Sequence, residues 1–358
     1  MVEQTGAPAP RPRPKRGTWR SPVSRPTLED VAAIAGVSRN TVSLVLQRSP
    51  RVRAATGDRV WVAVRETGYQ VNHAARALAS GRTRTLGVVH FDPESYQRTA
   101  FYYPIIASLV GAANERGYDA LLLAPRDTGN PHWLREIGRA GRVDGLVFLG
   151  TRTDRVAITA LAQDGVPMAH IGRREVPGCA LSYVAVDNEA GVALATQHLI
   201  DHGHRRIAFY AMDLELESHR DRLAGYRHAL RVAGVPFDEE LVLIGATWAA
   251  GAAPSVRLPA GTTALVISDG VGWELIRALQ ASGTRIPEDV AIVVHNADRS
   301  IRSYDPPLTG VVTPQAELGE RAAHLVIDLI EGAPSPARQQ SLAPQLEIHR
   351  SCGCPIPT

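Results

Sequence analysis

From Thr85 to the C-terminus, short apolar segments alternate with longer amphipathic ones, and this alternation limits the fold more than any other feature of the chain. Alternating strands and helices build βαβ units, whose strands lie parallel in one sheet with helices packed on its faces. A first run of such segments comprises Leu86 to Val89, Ile105 to Arg116, Ala120 to Ala124, a helix near Trp133 and Gly145 to Leu149. The pattern predicts a doubly wound α/β lobe.

A second run of the same kind begins near Val184. It comprises Ile207 to Tyr210, Arg220 to Val232, Ala264 to Ile267, Trp273 to Ala281 and Val290 to Val294. Ligands of open parallel sheets bind beyond the carboxyl ends of the strands. Two such lobes facing each other therefore predict a cleft that holds a small molecule.

A helical pattern precedes the two lobes. Thr27 and Asp30 form a capping-box-like start of one helix, which Gly36 ends. Ser38 then caps a second short helix, Arg39 to Leu46, with one apolar and one polar face. Two short helices joined by a glycine turn predict a helix-turn-helix.

A third helix is predicted from Ala54 to Thr67, ending at Gly68. Its apolar face is expected to consist of Val60, Trp61 and Val64, which would close a three-helix core. The segment from Asn72 to Ser80 can form two helical turns capped by Asn72, but two turns are too short to persist alone. We interpret this segment as a hinge helix that forms conditionally.

Charge is divided unevenly along the chain. Residues 1–84 hold fifteen Lys and Arg against five Asp and Glu, a net charge of +10, whereas residues 85–358 carry a net charge of −7. A basic head on an acidic body is typical of a protein that places one end on nucleic acid. Residues 1–25 contain five prolines and six basic residues, which predict a disordered arm that either adds phosphate contacts or only solubilises the chain.

Several other classes of protein are disfavoured. No run of about 18 apolar residues could span a bilayer and the N-terminus offers no apolar signal peptide, so we expect a cytoplasmic protein without a membrane partner. No glycine-rich phosphate loop follows a strand and no nucleophile elbow is present, so we expect no enzyme, no catalytic residue and no cofactor. A periplasmic binding protein would need a signal peptide and would lack the basic head.

Two groups of residues resemble metal ligands, and we predict that neither binds metal. His198 and His202 stand four residues apart on a helix with His204 nearby, but cations at a helix end are stabilising without any metal. Cys352 and Cys354 form a Cys-Gly-Cys in a proline-rich tail, one pair without His partners close in sequence. Three cysteines in the whole chain are also too few for a disulfide framework.

Beyond residue 26 the chain resembles the lactose-repressor-like (LacI/GalR) family along essentially its whole length. The blocks that carry the resemblance stand in family order: TLEDVAAIAGVSRNTVSLVL, RVWVAVRETGYQVNHAARALASGRTRTLGVV, VDNEAGVALATQHLIDHGHRRIAF, RDRLAGYRHAL, and IPEDVAIV followed by PPLTGVVTPQAELGERAA. The resemblance implies a sequence-specific transcriptional regulator, which we predict to be a repressor.

The same resemblance implies that Ser38 to Leu46 is a recognition helix in the major groove. Arg39 and Asn40 occupy the positions that usually touch base edges, and Arg can grip guanine while Asn can grip adenine. Leu44 departs from the family, whose members commonly carry Arg or His there, and it can make only apolar base contacts. Phosphate contacts are expected from four hydroxyl-bearing residues: Thr27, Ser38, Thr41 and Ser43.

In the hinge, Leu78 matches the residue that relatives wedge into the minor groove at the centre of a palindromic site. Ala75, Arg76 and Ala79 would line that groove. By periodicity alone a lone Leu in an amphipathic segment is more often a core residue.

For the cleft, the resemblance implies that Arg222 contacts the effector, that Trp248 forms an aromatic wall, and that Asp269 and Asn296 lie at the edge. Relatives often carry an Asp at the position of Asn296, an Asn at Ser268 and an Asp at Gly172. Asn imitates a carboxylate only in part and Ser reaches less far than Asn. The effector is therefore expected to be a sugar or another polar metabolite, with the choice open.

The predicted domains are a basic arm at 1–25, a helix-turn-helix domain at 26–71, a hinge helix and linker at 72–84, and a two-lobed effector-binding and dimerisation domain at 85–358. The first lobe would comprise about 85–185 and 313–340, and the second about 186–312 and 341–358. A homodimer would present two recognition helices to a near-palindromic operator. The effector could be an inducer or a corepressor, and an activator or a sensor that answers to a protein partner stays open as an alternative.

Overall fold

The computed structural model describes residues 26–46, 51–70, 77, 81–90, 99–124, 133–150, 155–211, 214, 216–245, 257–268, 272–332 and 338–354. The chain divides into two compact units, Met1–Arg76 and Ala77–Thr358. The N-terminal helices belong to the first unit, and both sheets belong to the second.

Three helices form the N-terminal unit: α1 (Leu28–Ala35), α2 (Arg39–Leu46) and α3 (Ala54–Thr67). Gly36 and Gly68 end the first and third with left-handed φ angles of 62° and 66°, a conformation that glycine adopts without steric cost. One residue set from all three helices is buried together: Val31, Ala32, Ala35, Val42, Val45, Val60 and Ala63. The predicted three-helix arrangement is present.

One predicted core residue of α3 is wrong. Trp61 is 40% exposed, whereas Val60 and Ala63 are almost fully buried. Positions 60 and 63 lie on one face of the helix, and residue 61 is turned about 100° away from residue 60. The small core of the three helices therefore takes in the methyl group of Ala63, and the indole ring of Trp61 stays outside it.

The first lobe is built on a six-stranded parallel sheet in the order β11-β5-β4-β3-β1-β2. Its strands are β1 (Thr85–His90), β2 (Asp119–Leu123), β3 (Gly145–Leu149), β4 (Met168–Ile171), β5 (Ser182–Val186) and β11 (Gln339–Leu342). Two helices cover one face, α4 (Thr99–Glu115) and α10 (Gln315–Ile330), and two cover the other, α5 (Trp133–Arg139) and α6 (Arg155–Gln163). Burial on both faces explains why strands such as β3 are apolar throughout.

The second lobe repeats this architecture in the order β12-β10-β9-β8-β6-β7, with only β12 antiparallel. Its strands are β6 (Ile207–Ala211), β7 (Val242–Ile244), β8 (Ala264–Ile267), β9 (Ala291–Ala297), β10 (Thr309–Val312) and β12 (Gln345–Glu347). Helices α7 (Asn188–Asp201) and α8 (Glu217–Val232) pack on one face and α9 (Gly272–Ala281) on the other. The predicted fold class, two doubly wound lobes behind a helical head, is confirmed.

The chain crosses between the two sheets three times. It leaves the first sheet after β5, returns after β10 with α10 and β11, and leaves again before β12. Each lobe is therefore assembled from segments that are far apart in sequence. Within the described ranges, no helix combines the length and the apolar character that crossing a membrane requires.

Candidate functional site

Helix α2 begins at a serine cap that fixes its first turn. The Ser38 hydroxyl oxygen accepts a hydrogen bond from the Thr41 backbone N–H at 3.1 Å and lies 2.9 Å from the Thr41 hydroxyl. Val42 and Val45 are buried against the other two helices. Because these two valines anchor one side of α2, its polar residues are held on the outer side.

The outer side of α2 carries the predicted base-reading residues. Arg39 and Asn40 are exposed, and Leu44 is half-buried one helical turn beyond Asn40. The Arg39 Nε lies 3.2 Å from Glu29 Oε1 of α1, and both side chains are more than 60% exposed. Ion pairs this exposed are weak, so the guanidinium can exchange this carboxylate for another acceptor.

The predicted phosphate-contacting hydroxyls stand near the amino ends of α1 and α2. Thr27 forms the predicted capping box: its hydroxyl donates to Asp30 Oδ2 at 2.8 Å and accepts from the Asp30 backbone N–H. Hydrogen bonds from the Thr27 backbone and side chain lower the pKa of Asp30. Ser38 and Thr41 are in contact with each other, and Ser43 lies two residues beyond Thr41 on α2. Helix amino ends of this kind are suited to anions.

Several predicted features lie outside the described residues. They are the basic arm at 1–25, the hinge residues Ala75, Arg76, Leu78 and Ala79, and the cleft residues Trp248 and Asp269.

In the second lobe, Arg222 is buried beside the carboxyl end of β8. Its Nε donates to Asn188 Oδ1 at 2.8 Å, and one terminal nitrogen donates to the Ser268 carbonyl at 2.7 Å. Arg222 is only 5% exposed, and these two hydrogen bonds hold its guanidinium in one orientation at the strand end. The Ser268 hydroxyl is fully buried and has no hydrogen-bond partner among the described residues.

Two further positions predicted from the sequence to lie at the cleft, Gly172 and Asn296, are also found at strand ends. Asn296, near the end of β9, has a left-handed φ of 58°, and its Oδ1 accepts from the Thr313 hydroxyl at 3.0 Å. Gly172 follows β4 with a φ of 105°. The structure thus brings Arg222, Ser268 and Asn296 to the carboxyl edge of one sheet and Gly172 to that of the other.

A set of ion pairs joins the lobes at the same edge, and the sequence reasoning does not anticipate it. Glu217 at the start of α8 is almost fully buried and lies 3.1 Å from an Arg174 nitrogen and 3.4 Å from an Arg155 nitrogen of the first lobe. Arg173 donates from Nε to Asp221 at 2.9 Å. Burial alone raises the pKa of Glu217, but its own backbone N–H and the charge of Arg174 outweigh burial and lower it.

A sequence signal for these pairs exists. The arginine pair Arg173–Arg174 stands one residue beyond the buried strand β4, and residues after parallel strands line the cleft. The molecule thus combines a small helical unit that presents an arginine, an asparagine and a leucine on one helix face with a two-lobed unit whose strand ends carry buried polar groups. Together these define a DNA-binding regulator with a ligand-sensing domain.

Comparison with known proteins agrees with this class. The model for the lacI family of bacterial regulatory proteins matches residues 27–72, and the model for the periplasmic binding protein-like domain matches residues 196–352. The HTH-type transcriptional regulator CelR of Thermobifida fusca is 37% identical over 334 residues, covering 91% of this chain and 98% of CelR. The chain belongs to the lacI family, as its sequence blocks predict.

Further relatives and solved structures extend the match over both units. The HTH-type transcriptional repressor PurR of Aliivibrio fischeri (strain MJ11) is 27% identical, covering 91% of this chain and 98% of PurR. A complex of the transcriptional regulator CelR with cellobiose has a TM-score of 0.67 at 34% identity, covering 91% of this chain and all of that one. The lac repressor dimer bound to operator and the anti-inducer ONPF has a TM-score of 0.73 at 25% identity, covering 92% and 99%.

Membership of this family confirms the predicted class of function: the protein is a DNA-binding transcriptional regulator.

Proposed function

We propose that this protein is a repressor that reads its operator with Arg39, Asn40 and Leu44 of α2, and that a saccharide bound between the lobes controls its affinity for DNA. The observation that carries the first half is the polarity of α2: Val42 and Val45 are buried while Arg39 and Asn40 are exposed on the first turn. A helix anchored in this way can enter a major groove amino end first.

The three readers have different chemical reach. Arg39 can donate two hydrogen bonds to guanine, and Asn40 can both donate to and accept from adenine. Leu44 lies one turn beyond Asn40 and can contact a thymine methyl group. A charged residue at that position would not favour this apolar contact. The proposed operator half-site therefore contains a G·C pair, an A·T pair and a T whose methyl group is read apolarly.

Selection of binding sites from random DNA tests the proposed readers. Wild-type protein should enrich a near-palindromic site with two equivalent half-sites, because a symmetric dimer presents two copies of α2. Asn40→Ala should relax the preference at one A·T pair in each half-site, and Leu44→Ala the preference at one T. Enriched sites of unchanged sequence in both variants would contradict the proposed readers.

The saccharide proposal rests on the family and on the cleft. A CelR that is 34% identical and matched over its whole length is known in complex with cellobiose. In this chain the fixed guanidinium of Arg222 and the buried Ser268 hydroxyl stand at one strand edge, and both groups hydrogen-bond readily with sugar hydroxyls. Gly172 and Asn296 alter the polar groups that relatives carry, so the sugar is expected to differ from theirs in its hydroxyl pattern or linkage.

Calorimetric titration of the purified dimer tests this half of the proposal. Cellobiose and a panel of related mono- and disaccharides are titrated into wild type and into Arg222→Lys, which keeps the charge but loses the fixed planar geometry. At least one saccharide should bind wild type and bind the variant more weakly. Binding of none, together with binding of a polar carboxylate or nucleobase from a metabolite set, would replace the saccharide by a non-sugar effector.

The same ligand can then be classified as an inducer or a corepressor. A ligand that weakens operator binding must itself bind the DNA complex less tightly, and a corepressor must do the reverse. Titration of operator in the presence and absence of the bound saccharide distinguishes the two.

A further inference from the structure

Two histidines and two cysteines meet at the carboxyl end of α7, away from the interlobe cleft. Cys354 Sγ lies 3.4 Å from His198 Nε2, 3.0 Å from His202 Nε2 and 3.0 Å from Cys352 Sγ. The ligand atoms of His198, Cys352 and Cys354 all lie within 4.8 Å of one another. These four side chains are called the tail cluster below.

Both halves of the tail cluster have the local geometry to converge. His198 and His202 stand four residues apart on α7, so their rings share one face of the helix, with centroids 4.4 Å apart. Gly353 has a left-handed φ of 80°, which turns the chain between the two cysteines so that both thiols face α7. A side chain at this φ would be strained.

The cysteine segment is fixed to the sheet of the second lobe. Ser351 Oγ donates to the Ile292 carbonyl at 2.7 Å and accepts from the Thr309 backbone N–H at 2.8 Å. The Thr309 hydroxyl donates to Cys352 Sγ at 3.0 Å, and Cys352 is only 2% exposed. The thiols are therefore held in place by β9 and β10, and the site does not depend on a loose tail.

The hydrogen bonding of His202 defines which of its nitrogens faces the thiols. His202 Nδ1 lies 2.7 Å from the His198 carbonyl oxygen, and a carbonyl can only accept, so Nδ1 carries the proton. Nε2 then presents its lone pair towards Cys354. Metal-binding histidines almost always donate their second ring N–H in this way, which orients the ring and raises its basicity.

Only the thiolate form of a cysteine binds a metal ion, so both thiols would lose their protons on coordination.

We propose that the tail cluster is a metal site in which His198, His202, Cys352 and Cys354 bind one Zn²⁺ ion. Two thiolates and two imidazoles form a donor set that Zn²⁺ prefers in closed, structural sites. Binding releases the protons of both thiols to solvent, because only thiolates coordinate. The ion would join the C-terminal segment to α7 and so hold the last residues against the second lobe.

Neither half predicts this site alone. The His pair and the Cys pair are about 150 residues apart in sequence. Taken alone, the histidines are explained as cations at a helix end, and the cysteines lack His partners close in sequence. Only the fold, which brings residues 350–354 across β9 and β10 to α7, joins them. The proposal therefore revises the sequence-based expectation that neither the histidines nor the cysteines bind metal.

Titration of the full-length, reduced, metal-free protein with Co²⁺ tests the proposal. Co²⁺ reports thiolate coordination through a charge-transfer absorption that free ions lack, and Zn²⁺ should displace it. Wild type should bind one equivalent with the absorption expected for two thiolates. Cys354→Ser should lose about half of that absorption, and both it and His202→Ala should weaken binding by roughly tenfold or more, since even outer-shell changes have effects of this order.

Two matched controls lie outside the tail cluster. Cys179→Ser removes the third cysteine, which packs in the first lobe. His204→Ala removes the neighbouring histidine, whose Nδ1 lies 3.1 Å from the Thr263 hydroxyl. Both variants should bind Co²⁺ as wild type does. Zn²⁺ should also raise the thermal unfolding midpoint of wild type, and a chelator should reverse that rise.

Three outcomes would overturn the proposal. One is wild-type protein that binds no Co²⁺ or Zn²⁺ at micromolar concentrations. A second is undiminished thiolate absorption in a Cys352→Ser/Cys354→Ser double variant. The third is a mass lower by two hydrogens after mild oxidation, with no metal binding by the reduced protein, which would assign the cysteines to a disulfide. If a cysteine variant fails to fold, the exposed His202→Ala variant and the chelation of wild type still decide. Operator binding is measured in parallel and is expected to persist in His202→Ala.

Discussion

At the scale of single residues, Arg39 has two competing partners, the Glu29 carboxylate and a base of the operator. Its guanidinium faces Glu29 at 3.2 Å in the unbound protein, and that carboxylate must be given up before a guanine can be gripped. Because both partners are exposed, water already screens the pair. The cost of releasing Arg39 is therefore small compared with the two hydrogen bonds it can form on a base.

Arg39→Ala should weaken operator binding by about 1–3 kcal/mol and relax preference at one base pair. Glu29→Gln is the matched control, since it removes the competing charge and should leave binding unchanged or slightly tighter. Binding isotherms on operators varied at single positions measure both effects. Arg39 would not be a base reader if its alanine variant lost affinity equally for every sequence.

His170 gives a second residue-scale prediction, on stability against pH. It is buried in β4, stacked on Phe148 at 4.7 Å, and its Nε2 has no hydrogen-bond partner among the described residues. Burial, and then the charge of Arg174, lower its pKa from 6.5 to about 3. Below pH 6.5 His170 therefore binds a proton in the unfolded chain but not in the folded chain. The free energy of unfolding should fall as the pH drops from 6.5 towards 3.

Replacing His170 with Leu should remove this share of the pH dependence. The difference in slope between wild type and His170→Leu should approach about 1.4 kcal/mol per pH unit between those two pKa values and vanish above pH 7. Urea unfolding at a series of pH values measures it. Parallel curves for the two proteins across this range would show that His170 accepts its proton in the folded state.

At the scale of elements, two glycines in helices differ in their surroundings. Gly225 of α8 lies directly against the Glu189 carbonyl of α7, where an added Cβ would overlap backbone atoms, whereas Gly111 of α4 has open space. Gly225 therefore lets α7 and α8 approach closely, whereas no described residue of this chain packs against the Cβ position of Gly111. The two positions form a matched pair.

Gly225→Ala should destabilise the protein by about 1–3 kcal/mol, because the helices must separate to admit the methyl group. Gly111→Ala should stabilise it by about 0.5–1 kcal/mol through helix propensity alone. Denaturant unfolding measures the contrast. Equal effects of the two substitutions would mean that α7 and α8 do not pack as closely as the structure has them.

Apolar strands such as β3 and β8 could be predicted from the sequence, whereas the short polar edge strands β11 and β12 could not. Gly145–Leu149 and Ala264–Ile267 have the bounds that their apolar runs predict, since strands covered on both sides must be apolar throughout. By contrast, Gln339–Leu342 and Gln345–Glu347 are short, polar edge strands. Their pairing depends on where a distant strand lies, so no local pattern marks them.

The same distinction holds for the sites. The residues on α2 could be predicted because a helix face is a local property of eight residues. The pair between Glu217 and Arg174 joins residues of different lobes, and the tail cluster joins α7 to the last described segment. Such sites depend on tertiary contacts, which spacing along the chain does not contain.

At the scale of the whole molecule, the charge asymmetry sets how strongly binding depends on salt. The arm at 1–25 carries six basic residues and one acidic residue, and any bonds that it forms with phosphates would carry no sequence information. Each phosphate that the arm neutralises releases counterions, so the arm should add to affinity for all DNA alike.

Replacing residues 1–25 with a neutral Gly/Ser segment of equal length should weaken binding to operator and to random DNA by the same factor. The slope of log K against log salt should become shallower by about 0.9 for each phosphate that is no longer neutralised. Anisotropy titrations over a range of salt concentrations measure both quantities. An unchanged slope would indicate that the arm only solubilises the chain.

The three crossings between the sheets impose an order on synthesis. The ribosome completes β1–β5 early, yet the first lobe still lacks α10, which packs against α4, and β11, which pairs with β5. At ordinary translation speeds the nascent chain waits on the order of 10 s for these segments, with apolar surface of the first lobe uncovered while the second lobe is made. A premature stop codon late in the message, ahead of α10, would therefore damage the half of the sensor that was translated first.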